Sequence, residues 1–497
     1  MRDEATDSRA GRLECQVAIL GCGPVGATLA NQLGAAGLDV IVIERDREIF
    51  PLPRAIHFDG ETLRTFQSLG LRARVEAISR PGLKGMRFVN ARDELLLERG
   101  GAALDGPQGC ANNHYFHQPE LEAVLRAGVA RFPNVRVLAG CEATAIADDA
   151  DGVRVTLAGE APSVVHAQWL VGCDGGRSPT RRAIGATMED LGLHQPWLVF
   201  DLILQRDLGL PDHTVQRCDP ARPMTLCCVT GARRRWEIML MPGDDPGTLA
   251  QPGNVWPLIA RWVTPADARL ERSAIYTFHS VIAHGWRRGR LLLAGDAAHQ
   301  TPPFLGQGLC AGIRDAANLG WKLARVARGL APEALLDTYE SERRPHVRAF
   351  IELAVRLGDL IQATDPAVVA ERDRRFLQGE AKVFEFPQPG LGPGLHRGPL
   401  GGTLFPQPRL PDGRLLDEAI GERFAVIGEG AALGAADAAT RARWHEAGAA
   451  VLRDAGAAVG AWLRAHEAIA VVLRPDRYLL GAARDARGLA EISALIT

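Results

Sequence analysis

The sequence has no Cys-x-x-Cys pair among its nine cysteines and no His/Cys cluster at metal-ligand spacing. That excludes a dithiol redox motif and a zinc site, so no metal is expected. Several of the cysteines fall in strand-like or glycine-rich stretches, where a thiol serves as a small apolar side chain in a reduced, cytoplasmic protein. Net charge is nearly absent: 57 basic against 59 acidic residues leave −2, with neither an acidic nor a basic tail. No nucleic-acid partner follows from that balance. No apolar run approaches the ~18 residues of a membrane span. The first residues mix both charge signs and carry no apolar core, so no secretory signal and no membrane partner are expected. Internal repeats are missing as well.

What is present is ordinary in bulk and specific in detail. A chain of 497 residues with 46% hydrophobic and 23% charged content reads as a globular enzyme of two or three domains. Near the start, the apolar run Val17-Ala18-Ile19-Leu20 leads into Gly21-Cys22-Gly23-Pro24-Val25-Gly26. A strand over 16–20 would feed a tight turn at Gly21, Gly23 would let backbone approach a pyrophosphate, and Gly26 would let the following helix pack close. The helix N-terminus would offer free N–H groups to phosphate. A second strand, 39–43, delivers Glu44 and Arg45 about 20 residues on, where the ribose-binding acid of a dinucleotide fold belongs.

Two further signatures lie far along the chain. Val171-Gly172-Cys173-Asp174-Gly175-Gly176-Arg177-Ser178 follows a predicted strand over 168–171. The run 291–294 delivers Gly295-Asp296 to a strand end, where a carboxylate can accept a hydrogen bond from an extended polyol such as ribityl. Then come Pro302-Pro303-Phe304-Leu305-Gly306-Gln307-Gly308 and a predicted helix from Leu309 to Arg328. Prolines stiffen that loop and glycines open it, so backbone can lie against a flat ring. The helix N-terminus would face the edge of a reduced, anionic flavin. An ordinary crossover could produce any one of these signatures; the three in this order point to FAD. No second Gly-x-Gly-x-x-Gly unit exists, so a nicotinamide cofactor has no dinucleotide fold of its own.

These residues resemble the single-component (group A) FAD-dependent aromatic hydroxylases, flavoprotein monooxygenases. The likeness rests on the Gly21–Gly26 loop, Glu44, Cys173-Asp174-Gly175 and Gly295-Asp296 with its Pro-Pro-x-x-Gly-Gln-Gly loop. Within that family the chain is most similar to the 3-(3-hydroxyphenyl)propionate hydroxylases. Pro53-Arg54-Ala55-Ile56, Gln118-Pro119, Trp169-Leu170-Val171, the stretch 306–316, the stretch 337–344, Phe405-Pro406-Gln407-Pro408 and Arg474-Pro475-Asp476-Arg477 carry this closer likeness. The resemblance covers nearly the whole chain from about residue 15.

It implies an α/β fold: a Rossmann-like FAD-binding domain from 15–80, 112–190 and 286–360, and a mainly antiparallel substrate-binding domain from 81–111 and 191–285. A proline- and glycine-rich linker at 386–399 and a thioredoxin-like C-terminal domain at 400–497 complete the layout. The pattern of strands predicted at 197–204, 224–229, 236–241 and 273–280 agrees with an inserted sheet. The implied reaction is hydroxylation of a small phenolic substrate, such as a 3-hydroxyphenylpropionate-like acid, by NADH or NADPH and O2 through a flavin C4a-hydroperoxide. A homodimer fits the same resemblance. Tailoring of a larger, polyketide-like aromatic and a non-catalytic flavin-binding role are the competing readings.

Cofactor contacts are expected from Gly21, Gly23, Gly26, Glu44, Arg45, Arg54, Gln118, Asp174, Asp296, Pro303, Gly306, Gln307, Gly308 and Leu309. Asp174 and Arg177 are expected to serve both flavin placement and nicotinamide use. Phenol activation calls for a base near the ring hydroxyl, and His57, Asp59 and Tyr276 are the candidates. A lone histidine is more often structural, and the related hydroxylases tend to have glycine where His57 stands and a second acid where Gly60 stands. Tyr276 and Phe278 alternate onto one strand face, which would line an aromatic pocket or form core.

Overall fold

The computed structural model describes residues 12–52, 54–99, 104–159, 163–381 and 389–496. Pro53 and the first part of the expected linker, 386–388, lie outside the described residues.

Five parallel strands form the floor of the molecule, in the spatial order Leu291–Leu293, Val164–Gly172, Arg12–Leu20, Val40–Glu44, Val135–Ala139. The central residues of the first four (Val17, Ile19, Val42, Val171 and Leu292) are fully buried, as parallel strands covered on both faces must be, whereas the edge strand Val135–Ala139 is partly exposed. The strand over 12–20 starts earlier than the apolar run alone suggests, because Arg12 to Cys15 pair with 164–167. In this register Leu20 lies between Ile43 and Gly172, and Gly172 lies beside Leu293. The chain therefore leaves the sheet at Gly21, Cys173 and Ala294 along one carboxyl edge, where α/β folds bind ligands.

The helices Pro24–Ala35 and Gly308–Ala327 pack on each other above that edge. Gly312 makes the approach possible: a Cβ there would sit 2.6 Å from Val25 Cγ2. The predicted helix 309–328 is offset by one residue from the observed one, within the ordinary scatter of helix ends.

An eight-stranded sheet stands over the floor as a roof, ordered His299–Gln300, Ala268–His284, Thr187–Leu204, Arg233–Met239, Met224–Cys228, Thr214–Arg217, Met86–Val89, Leu95–Arg99. All neighbours are antiparallel except 214–217 with 86–89, so both 81–111 and 191–285 contribute strands to it. Period-2 alternation gives the roof two faces. Leu198, Phe200, Trp236 and Ile238 point to an outer core with Val255, Ile259 and Val263. Trp197, Asp201, Arg235 and Glu237 occupy the other face.

The C-terminal segment forms a separate four-stranded sheet, ordered Ala450–Arg453, Ala425–Gly428, Ala470–Leu473, Leu479–Ala483. It is fastened to the floor helices by buried charge. Glu342 receives hydrogen bonds from Lys322 at 2.7 Å, Asn318 at 2.9 Å and both terminal nitrogens of Arg474 at 2.9 and 2.8 Å. Asp417 likewise receives Arg64 at 2.7 and 2.8 Å. No helix among the described residues is long and apolar enough to cross a membrane. All nine cysteines are free thiols, most of them buried.

Candidate active site

The first glycine turn is shaped by contact, not by composition alone. Gly21 has φ +95°, and a Cβ there would lie 2.4 Å from the Cys173 carbonyl oxygen. A Cβ on Gly26 would come 2.0 Å from the Gly21 oxygen. Gly23 differs: nothing lies within 4 Å of its Cβ position. Two glycines thus close the turn on itself, and the third faces open space. The helix begun by Pro24 has no side-chain cap, leaving its first N–H groups available to an anion.

Glu44 closes the other side of the turn. One carboxylate oxygen accepts the Cys22 N–H at 2.7 Å and the other accepts the Asp46 N–H at 2.9 Å. Arg126, on the helix Gln118–Val129, donates to the Cys22 carbonyl at 3.1 Å and stands 4.0 Å from Glu44. Sequence reasoning missed Arg126; no local motif marks it, since only the packing of its helix brings it to the turn. Arg45 is exposed and pairs at 3.9 Å with Asp46.

Asp174 shows a specific vacancy in its hydrogen bonding. One oxygen accepts from the Thr180 N–H at 3.0 Å and hydroxyl at 2.7 Å. The other is buried, with no hydrogen-bond partner among the described residues, a condition that native structures rarely leave unfilled. Asp296 borders the cavity between floor and roof. Its depth in the protein raises its pKa, opposed by His299 and Arg54. The loop carrying it is held from behind: buried Asp315 accepts the Gly295 N–H at 3.0 Å and lies 2.6 Å from His299, while its second oxygen takes Arg343 at 2.9 Å.

One cavity of about 1030 Å³ joins these parts. Gly23, Gly175, Asp296, Pro303, Gly306, Gln307, Gly308 and Leu309 line its floor. The uncapped N-terminus of the twenty-residue helix Gly308–Ala327 opens onto it. Arg54, His57, Asp59 and Gln118 border one side. Gln118 accepts two successive N–H groups, Arg54 at 3.0 Å and Ala55 at 2.6 Å, and so fixes the path of that segment. Gly21, Gly26, Glu44, Arg45 and Asp174 stand behind the lining rather than in it.

The three candidates for phenol activation part company here. His57 Nδ1 lies 3.2 Å from the Gly306 oxygen and Nε2 3.1 Å from the Asn113 side-chain oxygen. The carbonyl can only accept, so Nδ1 carries a hydrogen and the ring is tied to the loop. Asp59 is the N-cap of the helix Gly60–Ser68, accepting the Thr62 N–H at 3.0 Å, and its other oxygen is bound by Arg314. Burial alone would raise this carboxyl, but Arg314 and the Thr62 N–H outweigh it and hold the pKa down at about 2. Tyr276 does not border the cavity; its hydroxyl accepts from Arg272 at 3.1 Å. Phe278, on the same face, stacks on Trp197 and meets Phe304 edge-on, so that part of the roof is core.

The roof wall of the cavity is made instead by Thr214, Gln216, Thr225, Cys227, Arg235 and Glu237. Arg235 and Arg272 are both spent on Asp201, at 2.8 and 3.1 Å, and Arg235 also donates to the Arg54 carbonyl at 2.6 Å. A readable signal existed: in 233–239, Arg235 and Glu237 alternate with Trp236 and Ile238, so charge and bulk segregate by face.

The exposed turn at Gly23, the orphan Asp174 oxygen and two uncapped helix N-termini fit an extended dinucleotide with phosphates and a polyol. Residues 14–354 match a family model described as an FAD binding domain. The chain is 38% identical to a probable NADH-specific resorcinol 4-hydroxylase of Rhodococcus jostii, over 97% of this chain and 95% of that protein. It is 39% identical to a 3-(3-hydroxy-phenyl)propionate/3-hydroxycinnamic acid hydroxylase of Mycolicibacterium smegmatis, over 94% and 90%. Among solved structures, the flavin-dependent monooxygenase PieE in complex with FAD and substrate aligns with TM-score 0.82 at 22% identity, over 97% of this chain and 99% of that one. Aklavinone-11 hydroxylase with FAD and aklavinone aligns with TM-score 0.80 at 24% identity, over 100% and 99%.

Proposed function

The chain belongs to the family of the FAD binding domain, and from that premise we propose an NADH- and O2-dependent hydroxylase of a phenolic ring. It is an FAD-dependent monooxygenase of the aromatic hydroxylase group. The observation that carries the substrate reading is the single cavity in which the flavin loop, Gly306 to Leu309, faces the polar roof wall of Thr225, Arg235 and Glu237.

In this reading Gly23 and the helix from Pro24 hold the pyrophosphate, with Arg126 beside it, and Glu44 takes the ribose. Asp296 accepts hydrogen bonds along the ribityl chain, and Asp174 assists flavin placement from behind the lining. Pro303, Gly306, Gln307, Gly308 and Leu309 lie against the flavin ring, and Gln118 keeps Arg54 at its edge. Bound FAD supplies the oxygen-transfer chemistry; the protein orients the phenol, keeps water out and governs the phenolic proton. Asp59, capped and paired, acts as a scaffold for Arg314, and His57 fixes the loop.

The domain limits expected above carry over, with the C-terminal sheet read as the thioredoxin-like unit; lacking Cys-x-x-Cys, it serves structure rather than redox. A cytoplasmic homodimer without nucleic-acid or membrane partners completes the reading. A larger aromatic substrate is the second possibility, favoured by the reach of the cavity to Leu404, Pro406 and Tyr478 of the C-terminal segment.

The test is NADH and NADPH oxidation by the yellow holoenzyme across phenols from resorcinol to polycyclic examples, with products identified by mass. Stopped-flow flavin reduction should accelerate on adding the true substrate. Equal reduction with and without every phenol, and no oxygenated product, would exclude the hydroxylase reading and leave a reductase or a flavin-binding protein.

A further inference from the structure

The roof wall contains one acid whose charge is balanced and whose hydrogen bonding is not. Glu237 lies on the inner face of the strand Arg233–Met239, opposite Val199 and Thr225. Its side chain is only 10% exposed, and it borders the cavity shared with the flavin loop. Its polar neighbours on the wall have other partners. Thr225 donates its hydroxyl to Gln216 at 2.5 Å. Arg235 hydrogen-bonds Asp201, and Arg272 forms an ion pair with the same carboxylate. Arg235 comes no closer than 3.9 Å to the Glu237 carboxylate, too far for a hydrogen bond.

Two guanidiniums and two carboxylates make this patch electrically neutral, so Glu237 needs no further cation. Its carboxylate makes no hydrogen bond among the described residues and opens on the cavity, so a donor seated there can bond it. An aromatic hydroxyl is both a donor and an acid.

We propose that Glu237 is the catalytic residue that accepts the hydroxyl proton of the bound phenol. The inference rests on the phenol-hydroxylase reading above. The phenol O–H bond breaks and a Glu237 O–H bond forms, leaving a phenolate and a neutral carboxylic acid, with no change in total charge. Phenolate is the more nucleophilic ring, as oxygen transfer requires. Burial favours the same step: it raises the Glu237 pKa, with Arg235 pulling it down and Asp201 pushing it up, which brings acceptor and phenol closer in basicity.

The experiment compares wild type with Glu237→Gln, as FAD-loaded full-length protein, on resorcinol and on 4-nitrophenol, whose hydroxyl is already ionised at slightly alkaline pH. With resorcinol, the variant should keep its flavin but lose product per NADH consumed by on the order of 10²-fold, releasing hydrogen peroxide instead. With 4-nitrophenol the ratio should return to near the wild-type value. Unchanged coupling on resorcinol, or the same loss on both phenols, overturns the assignment. A near-ultraviolet difference spectrum needs no turnover: bound resorcinol should show a phenolate band in wild type and none in the variant. Equal bands in both proteins, or no band in wild type, also overturn it. Should wild type show the band but hydroxylate nothing, the hydroxylase reading falls while the role of Glu237 as proton acceptor stands.

Discussion

His57 and Gly306 are locked together: Nδ1 of the imidazole meets the Gly306 carbonyl oxygen at 3.2 Å, and a Cβ on Gly306 would fall 2.8 Å from that same nitrogen. The histidine occupies the space that a side chain at 306 would need, and it binds the carbonyl of the residue whose left-handed conformation, φ +65°, turns the loop into the helix Gly308–Ala327. A segment following the second floor strand thereby sets the shape of a loop some 250 residues further on.

Replacing Gly306 with Ala should weaken FAD binding by about ten-fold or more. An L-residue in the left-handed region costs roughly 1–2 kcal/mol before any displacement of His57. Flavin fluorescence titration of the apoprotein measures it, and unchanged affinity would refute the coupling.

Gly23 and Gly26 should fail differently. A Cβ on Gly26 collides with the Gly21 oxygen at 2.0 Å, whereas Gly23 has room. Gly26→Ala should therefore lower the melting temperature even of apoprotein. Gly23→Leu should leave the apoprotein stable and expel the pyrophosphate. Differential scanning fluorimetry with and without FAD separates the two effects.

Glu342→Gln should destabilise the whole molecule by about 3–5 kcal/mol, the cost of breaking a buried ion cluster. Lys322 and Arg474 flank it, all three side chains being fully buried. The variant leaves two cations with half their compensation, so the C-terminal sheet should become the first part cut by protease. Wild-type protease resistance in the variant would show that the cluster does not hold the two units together.

Stability should fall in acid for an identifiable reason. Asp59 and Asp417 both hold folded pKa values of about 2, against 3.8 when unfolded. For Asp417, as for Asp59, burial opposes this and the arginines (Arg64 first, then Arg477) prevail. Depressed carboxyl pKa values contribute stability that is fully present above the unfolded value and lost as pH falls through the folded one. From these two groups, urea midpoints should drop as pH falls between roughly pH 4 and 2. Asp417→Asn should flatten that slope, and a slope unchanged in the variant would assign the loss to other groups.

Much of this protein is legible along the chain. The Gly21–Gly26 turn, Glu44, Asp174, Gly295-Asp296 and the 302–308 loop are local signatures, because a tight turn, a helix start and a strand end each need particular residues in consecutive order. They determined the α/β floor, the FAD cofactor and the chemical class, and they gave the long helix to within one residue, while the roof strands predicted at 197–204 and 273–280 run well beyond those limits, over Thr187–Leu204 and Ala268–His284. Tertiary structure alone decided which polar groups meet. Asp59 reads as a free acid in sequence, yet Arg314, 255 residues away, neutralises it. Tyr276 reads as a candidate on a face that lines a pocket or forms core, and in the fold it does not border the cavity, its hydroxyl accepting from Arg272. Glu237 carries no motif; its place at the cavity follows from strand register and from Asp201 claiming both neighbouring arginines. Backbone-shaping residues act on their immediate neighbours and can be read in order. The protonation and availability of a side chain depend on partners that only folding brings within a few ångströms.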